Sequence, residues 1–286
     1  MIYLAALLLA AALPAASRAQ ESASENPAAP AAEGKPLWEG GVFAGVARLP
    51  HYRGSDEYKV FALPLPFFIY RGEVLQTDRE GLRGIFYRSP RIETTVSLSG
   101  NPPVDRDNRA RRGMPGLDAI GEAGPAAKLY FRRNPSVYLL ATIRAAVAAD
   151  PSHWTARYVG IRGGPSLILS GYQPVPGGRF NCGLAAGLDF SDARYNAYFY
   201  DVASGQAISG RAAFRSGGGY AGSYLSGYAE LTLSTRLTWA AYARWDNIDA
   251  AAYAASPLVK TSNNSVIGTA LIWTIRQSSR RVRGRD

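Results

Sequence analysis

Apolar and polar residues alternate along most of the chain. The clearest case runs from residue 227 to residue 246, where two segments follow one template. Their apolar positions are Leu231, Leu233, Leu237, Trp239, Ala241, Ala243 and Trp245, and the positions between include Glu230, Thr232, Thr238, Tyr242 and Arg244. Because successive side chains of a strand point to opposite faces, this period of two gives each strand one apolar and one polar face. The pattern predicts an all-β fold, an antiparallel transmembrane β-barrel.

The predicted strands are twelve, an even number that suits a closed barrel. They span residues 38–48, 58–70, 73–77, 82–87, 91–99, 119–131, 136–148, 154–170, 179–189, 217–233, 237–248 and 264–276. Short connections, rich in turn-forming residues, alternate with longer ones. The short ones are residues 71–72, 88–90, 132–135, 171–178 and 234–236, and the longest are 100–118, 190–216 and 249–263. This alternation predicts short periplasmic turns and longer extracellular loops.

The charged residues of these segments lie on the polar faces. Arg144, Glu230 and Arg244 are examples, and we expect them to face the lumen. An Arg or Lys on the lipid face would cost about 2–4 kcal/mol near the bilayer midplane. The lone cysteine, Cys182, shares the opposite face with Leu184 and is interpreted as a small apolar filler.

Two stretches interrupt the alternation. Pro64 and Pro66 each lack a backbone donor, so their strand must bulge, lie in a weakly paired wall or fold partly inward. The run of two glycines and a proline at 163–165 predicts a bulge or a break in the eighth strand.

The N-terminus predicts export. Residues 1–19 form an apolar stretch that ends in a small-x-small cleavage site, as in a secretory signal peptide, with an uncleaved anchor as the alternative. Residues 20–36 are rich in Ala, Pro, Glu and Ser and predict a disordered periplasmic lead-in. The expected barrel covers residues 37–277, and a basic C-terminal tail covers residues 278–286. The expected location is the outer membrane of a Gram-negative bacterium.

The chain of 286 residues carries a net charge of +10. Because an exported protein does not meet nucleic acid, the excess points to anionic lipopolysaccharide, murein or an acidic protein. The alternative is that the excess positive charge lies in solvent-exposed loops and binds no partner.

Residues suited to hydrolysis or metal binding are scarce. Only two histidines occur, His51 and His153, and a Ser or Cys nucleophile needs a base in reach. A lipid hydrolase that uses His153 with Ser152 is disfavoured, since neighbouring residues of a strand point apart. Asp105 and Asp107 alternate with arginines, which oppose Ca²⁺. The sequence therefore predicts no enzyme, no cofactor and no metal site.

Several blocks of residues resemble the MipA/OmpV family of outer-membrane proteins, the MltA-interacting proteins. These blocks are residues 49–58, 63–66, 70–72, 111–117, 121–125, 195–199 and 256–259. The resemblance implies an outer-membrane barrel in contact with outer-membrane lipid. It further implies a scaffold that binds a lytic transglycosylase of murein and a bifunctional murein synthase.

The residues carried over from this resemblance are Tyr52, Gly54 and Ser55. They are interpreted as a tight turn with an aromatic plug rather than as ligand contacts. The sequence departs from such barrels at its end, because Arg276 is followed by a basic tail instead of a closing aromatic residue. The tail arginines, Arg280, Arg281, Arg283 and Arg285, are candidates for partner binding, with an unstructured solubilising end as the alternative.

Two functions fit these features of the sequence. The first is an adaptor for murein-synthesising and murein-degrading enzymes, which the resemblance implies. The second is a pore or small-solute channel, which the polar lumen faces suggest. We expect the adaptor.

Overall fold

The barrel predicted from the alternation is closed. The structure, a computed structural model, describes residues 35–71, 75–78, 81–150, 155–176 and 178–282. A ring of antiparallel strands forms the barrel, and its last strand, β13 (Asn263–Gln277), pairs with its first, β2 (Trp38–Pro50), to close it. The strands are β2 Trp38–Pro50, β3 Tyr58–Arg71, β4 Leu75–Asp78, β5 Gly81–Arg88, β6 Ile92–Asn101, β7 Ala119–Arg133, β8 Ser136–Asp150, β9 Thr155–Val175, β10 Gly178–Ser191, β11 Gly219–Thr232, β12 Leu237–Asn247 and β13 Asn263–Gln277. Each predicted strand falls on one of these, so the predicted fold class is confirmed.

The two faces of the barrel differ as the alternation predicts. Large apolar side chains are exposed on the outside, for example Leu184 at 57% and Ile267 at 58% of full exposure. Cys182 lies on this outer face, as predicted. Tyr138 and Tyr242 point inward and are buried. Among the described residues, no helix is long and apolar enough to cross a membrane.

The two irregular stretches behave differently from each other. β3 pairs with β2 along its whole length through Pro64 and Pro66, but its described pairing with β4 is limited to Tyr70 and Arg71. The prolines therefore lie in a weakly paired wall, one of the three predicted outcomes.

In β9 the predicted bulge is displaced. The register with β8 shifts at Tyr158 and Gly160, not at residues 163–165. The ladder with β10 is interrupted at Gly164 and Pro165 but keeps its register on both sides. β9 itself is continuous from Thr155 to Val175, so the bulge or break predicted at these residues is observed as an interruption of the ladder with β10. The physical reason is that a proline removes one donor without adding a residue to the strand.

The two ends of the barrel have connections of different length. At one end, the loop end, lie residues 51–57, 102–118, 192–218 and 248–262; at the other, the turn end, lie residues 89–91, 134–135 and 233–236. The predicted difference between turns and loops is therefore confirmed.

The first and last described residues of the chain meet at the turn end. Lys35–Pro36 (β1) pairs with Arg281–Val282 (β14) in a small separate sheet. Lys35 and Pro36, which the sequence placed in the disordered lead-in, are therefore paired with Arg281 and Val282 of the basic tail. The predicted signal peptide, the lead-in up to residue 34, His153 with Ser152, and Arg283 and Arg285 lie outside the described residues.

The loops fold into a compact cap over the lumen. The longest of them contains a helix that the sequence did not predict, α1 (Ala193–Tyr200), and Asp192 caps it by accepting a hydrogen bond from the Tyr195 amide at 2.7 Å. The cap is packed around buried apolar side chains from all four loops and the adjoining strand ends: Tyr52, Val104, Leu117, Tyr195, Phe199, Tyr200, Ile248, Ala251 and Tyr253 are among them.

Candidate functional site

Three layers of side chains fill the barrel below the loop end. The uppermost is the aromatic centre of the cap, where the rings of Tyr200 and Tyr253 stack with centroids 3.8 Å apart. Tyr52 packs edge-on against Tyr200 at 6.1 Å. Their burial raises the pKa of Tyr52, Tyr195 and Tyr200 above the ordinary value. Burial and the nearby Asp118 carboxylate also raise the pKa of Tyr198 to about 12.

The residues carried over from the family resemblance lie within this layer. Tyr52 donates a hydrogen bond to the carbonyl oxygen of Leu258, and Gly54 adopts a φ of 93°. The Asn264 side chain accepts from the Gly54 amide and donates to the Ser55 carbonyl oxygen at 2.8 Å. Tyr52, Gly54 and Ser55 therefore form a buried turn that ties the first loop to the last loop and to β13.

The second layer is a network of buried ion pairs. Arg53 reaches down from the cap, donating to Asp189 at 2.9 Å and lying 2.8 Å from Asp246. Arg162 pairs with the same Asp189 at 2.8 Å, and Arg244 pairs with Asp246 at 2.7 Å. These side chains come from the first loop and from three different strands, so the network joins the cap to the barrel wall.

The carboxylate of Glu122, which the sequence did not single out, pairs with two arginines on the other side of this network. The Glu122 side chain is fully buried and lies 3.1 Å from Arg144 and 3.8 Å from Arg162. Tyr195 of α1 donates its hydroxyl hydrogen to Glu122 at 2.7 Å. Only the alternation of β7 indicated that Glu122 faces inward; its partners lie on other strands.

The third layer is apolar. Tyr130, Tyr138, Ile168 and Ala185 cluster in the lumen toward the turn end, and the two tyrosine rings lie 5.0 Å apart. Between this tyrosine layer and the cap lies a polar cavity of about 260 Å³, which we call the chamber. The cap therefore lies above the chamber, and a cluster with two buried tyrosine rings lies below it.

The turn end is markedly basic. Its turns and strand ends carry arginines, several of them exposed. The described turns at residues 89–91, 134–135 and 233–236 contain no carboxylate, although the adjoining strand ends carry Glu39 and Glu93. Arg133 braces two turns by donating to the carbonyl oxygens of Ser89 and Pro90. The arginines at this end are Arg88, Arg91, Arg132, Arg133, Arg179, Arg236, Arg276 and Arg280. At the loop end, in contrast, basic and acidic residues are nearly equal in number.

The remaining predicted residues are dispersed. Arg144 and Arg244 lie in the lumen network, as predicted, and Glu230 lies near Asn181 on the inner face. His51 contacts Asn108 at 3.0 Å in the cap. Arg280 is exposed at the turn end, where its carbonyl accepts from the Leu37 amide. Across the described part of the chain, no three His, Cys, Asp or Glu side chains are grouped as metal ligands.

Comparison with known families agrees with this architecture. The model of the family described as MltA-interacting protein MipA matches residues 42–275, which is nearly the entire barrel. The chain belongs to the MltA-interacting protein family. This assignment confirms the resemblance drawn from the sequence, and the MipA match includes the Tyr52 turn, the cap and all the lumen layers.

Other comparisons add less. A comparison with curated proteins finds no sequence match for this member of the MipA family. Among solved structures it is similar to the outer membrane protease OmpT from Escherichia coli, with 10% identity over 83% of this chain and 95% of that one, at a TM-score of 0.29. A superposition of this quality carries no argument about activity.

Proposed function

We propose that this protein is an outer-membrane adaptor that holds murein-synthesising and murein-degrading enzymes at the inner surface of that membrane. In this proposal the barrel is the anchor and the turn end faces the periplasm, as short turns do in single-chain barrels. The proposed partners are a lytic transglycosylase and a bifunctional murein synthase. The family description supports the first of these by its wording alone.

The observation that carries this proposal is the difference between the two ends. The loop end is closed by the cap and nearly balanced in charge, whereas the turn end presents exposed arginines. Guanidinium groups form bidentate hydrogen bonds with carboxylates, so a surface rich in arginine suits an acidic protein partner. Arg280 and Arg281 lie at this same end, and the tail arginines Arg280, Arg281, Arg283 and Arg285 are proposed to extend the surface.

Binding of purified lytic transglycosylase to the detergent-solubilised full chain tests the proposal. We expect replacement of Arg91, Arg236 and Arg276 by Gln to weaken binding at least tenfold and to reduce its dependence on salt. The matched control replaces Arg106, Arg109 and Arg112, which are exposed at the loop end, and should bind as the wild type does. Equal binding by both triple variants would refute the assignment of the turn end.

A variant that ends at Gln277 tests the tail separately. Wild-type binding by this variant would remove the tail from the proposal and leave the turn arginines as the contact surface.

The competing function is a pore, which the polar chamber favours. Planar-bilayer recordings of the refolded chain distinguish the two. With the cap and the tyrosine layer in place we expect no steady conductance, and regular ion-selective steps would overturn the adaptor as the sole function.

A further inference from the structure

The chamber contains more positive than negative charge. Its lining includes the side chains of Arg53, Lys128, Arg144, Arg162 and Arg244. Among the described residues, the carboxylates paired with these five cations are four, namely Glu93, Glu122, Asp189 and Asp246. Glu93 is also paired with Arg88, which lies at the turn end. Arg88 is not among the five cations counted, so the five cations and four carboxylates alone leave an excess of one positive charge.

Three of these cations also have buried donors without an acceptor among the described residues, and one of these donors is the Nε atom of Arg53. The Lys128 ammonium lies 3.5 Å from Glu93 and has no hydrogen-bond partner among the described residues, although its side chain is only 3% exposed. The Nε atom of Arg162 is likewise buried without an acceptor in that part of the chain. A buried cation costs several kcal/mol unless an opposite charge and hydrogen bonds compensate it.

We propose that the chamber binds one small monovalent anion of the halide class. One negative charge would balance the excess, and the anion would accept from the cationic N–H groups that line the cavity. A volume of about 260 Å³ accommodates a hydrated halide, since a water molecule takes roughly 30 Å³ in the liquid. This site is independent of the adaptor surface at the turn end.

Bromide is the probe that tests the proposal, because it scatters anomalously and substitutes for chloride. In crystals of the full chain soaked in sodium bromide we expect an anomalous peak inside the chamber, near Lys128 or the arginine cluster. Bromide peaks confined to the exterior would indicate an adventitious ion only and would overturn the proposal.

A solution measurement complements the crystal. We expect the thermal unfolding midpoint of the wild type to rise with the logarithm of the sodium bromide concentration, relative to sodium gluconate of the same ionic strength, because a ligand that binds only the folded state stabilises it by RT ln(1 + [L]/Kd). Lys128→Met should lose this rise. The control Lys59→Met changes a lysine that pairs with Asp105 at the exposed loop end, and it should keep the rise.

A second substitution at Lys128 allows for the case in which the first variant does not fold. If Lys128→Met does not fold, Lys128→Gln retains a polar head without the charge and takes its place. A rise that persists in a folded Lys128 variant would show that this cation does not hold the anion. If no Lys128 variant folds, the position of bromide in wild-type crystals decides the question.

Discussion

Tyr52 donates a hydrogen bond to the main-chain carbonyl oxygen of Leu258 at 2.9 Å, across 206 positions of sequence. Both residues are buried, so no solvent replaces this bond if it is lost. We expect Tyr52→Phe, which keeps the ring, to lower the free energy of unfolding by about 1–3 kcal/mol because the Leu258 carbonyl loses its donor. Urea unfolding in detergent measures the change. Tyr158→Phe on the exposed outer wall is the control, and equal stability of the two variants would contradict the role assigned to Tyr52.

Gly54 is expected to be sensitive to substitution for two separable reasons. Its φ of 93° disfavours any residue with a Cβ atom, and an added Cβ would lie 3.0 Å from the Ile248 side chain. Gly113 has a φ of 77° but open space around the added atom. Gly54→Ala should therefore destabilise the cap more than Gly113→Ala does, as measured by limited proteolysis of the loops. A larger effect at Gly113 would show that packing around Gly54 is unimportant.

Glu122 joins α1 to the lumen network, so its charge should matter for cap docking. Glu122→Gln keeps the shape but leaves Arg144 and Arg162 with less compensation, and we expect a loss of about 3–5 kcal/mol in unfolding free energy. Adding Arg144→Gln should recover part of that loss, since the double variant removes both partners of one pair. The control, Glu57→Gln, removes a carboxylate whose partner Arg109 is exposed, and it should have little effect. Additive losses in the double variant would argue against the pair.

Alkaline pH should lower the stability of the folded cap. The pKa of Tyr198 is raised from the ordinary 10.0 to about 12, and those of Tyr52, Tyr195 and Tyr200 are also raised. The unfolded cap loses these protons at lower pH than the folded cap, so the stability is complete below about pH 10 and falls as the pH rises toward 12. Tyrosinate absorbance and loop proteolysis should change together in this range. Tyr198→Phe should flatten the pH dependence, and an unaltered profile would exclude Tyr198 as a contributor.

The barrel itself was predictable because successive residues of a strand face lipid and lumen in turn, and their polarity shows which face is which. Leu184 and Ile267 had to face lipid and Arg144 had to face the lumen, whichever strands became neighbours. The ion pairs were not predictable in the same way. Arg53 and Asp189 are 136 positions apart, and their contact depends on the curvature of the closed ring and on the path of the first loop.

The cap shows a second limit of the sequence. Asp192 followed by Ala193 is an acceptable helix start, but α1 has only eight residues and a helix of that length depends on tertiary packing. In the sequence, residues 195–199 stand out only as one block of the family resemblance. Their helical conformation follows from Tyr195 reaching Glu122 and from the stacking of Tyr200, which no local pattern expresses.

The pairing of Lys35–Pro36 with Arg281–Val282 has a practical consequence for engineering. Because these segments lie side by side, a short glycine-rich linker could join Lys35 to Val282 in a form trimmed to residues 35–282, and this polypeptide could be reopened at an exposed loop tip such as Gly205. Such a circular permutant would carry its free termini on the opposite side of the bilayer, where a fluorescent label would report membrane orientation in intact cells.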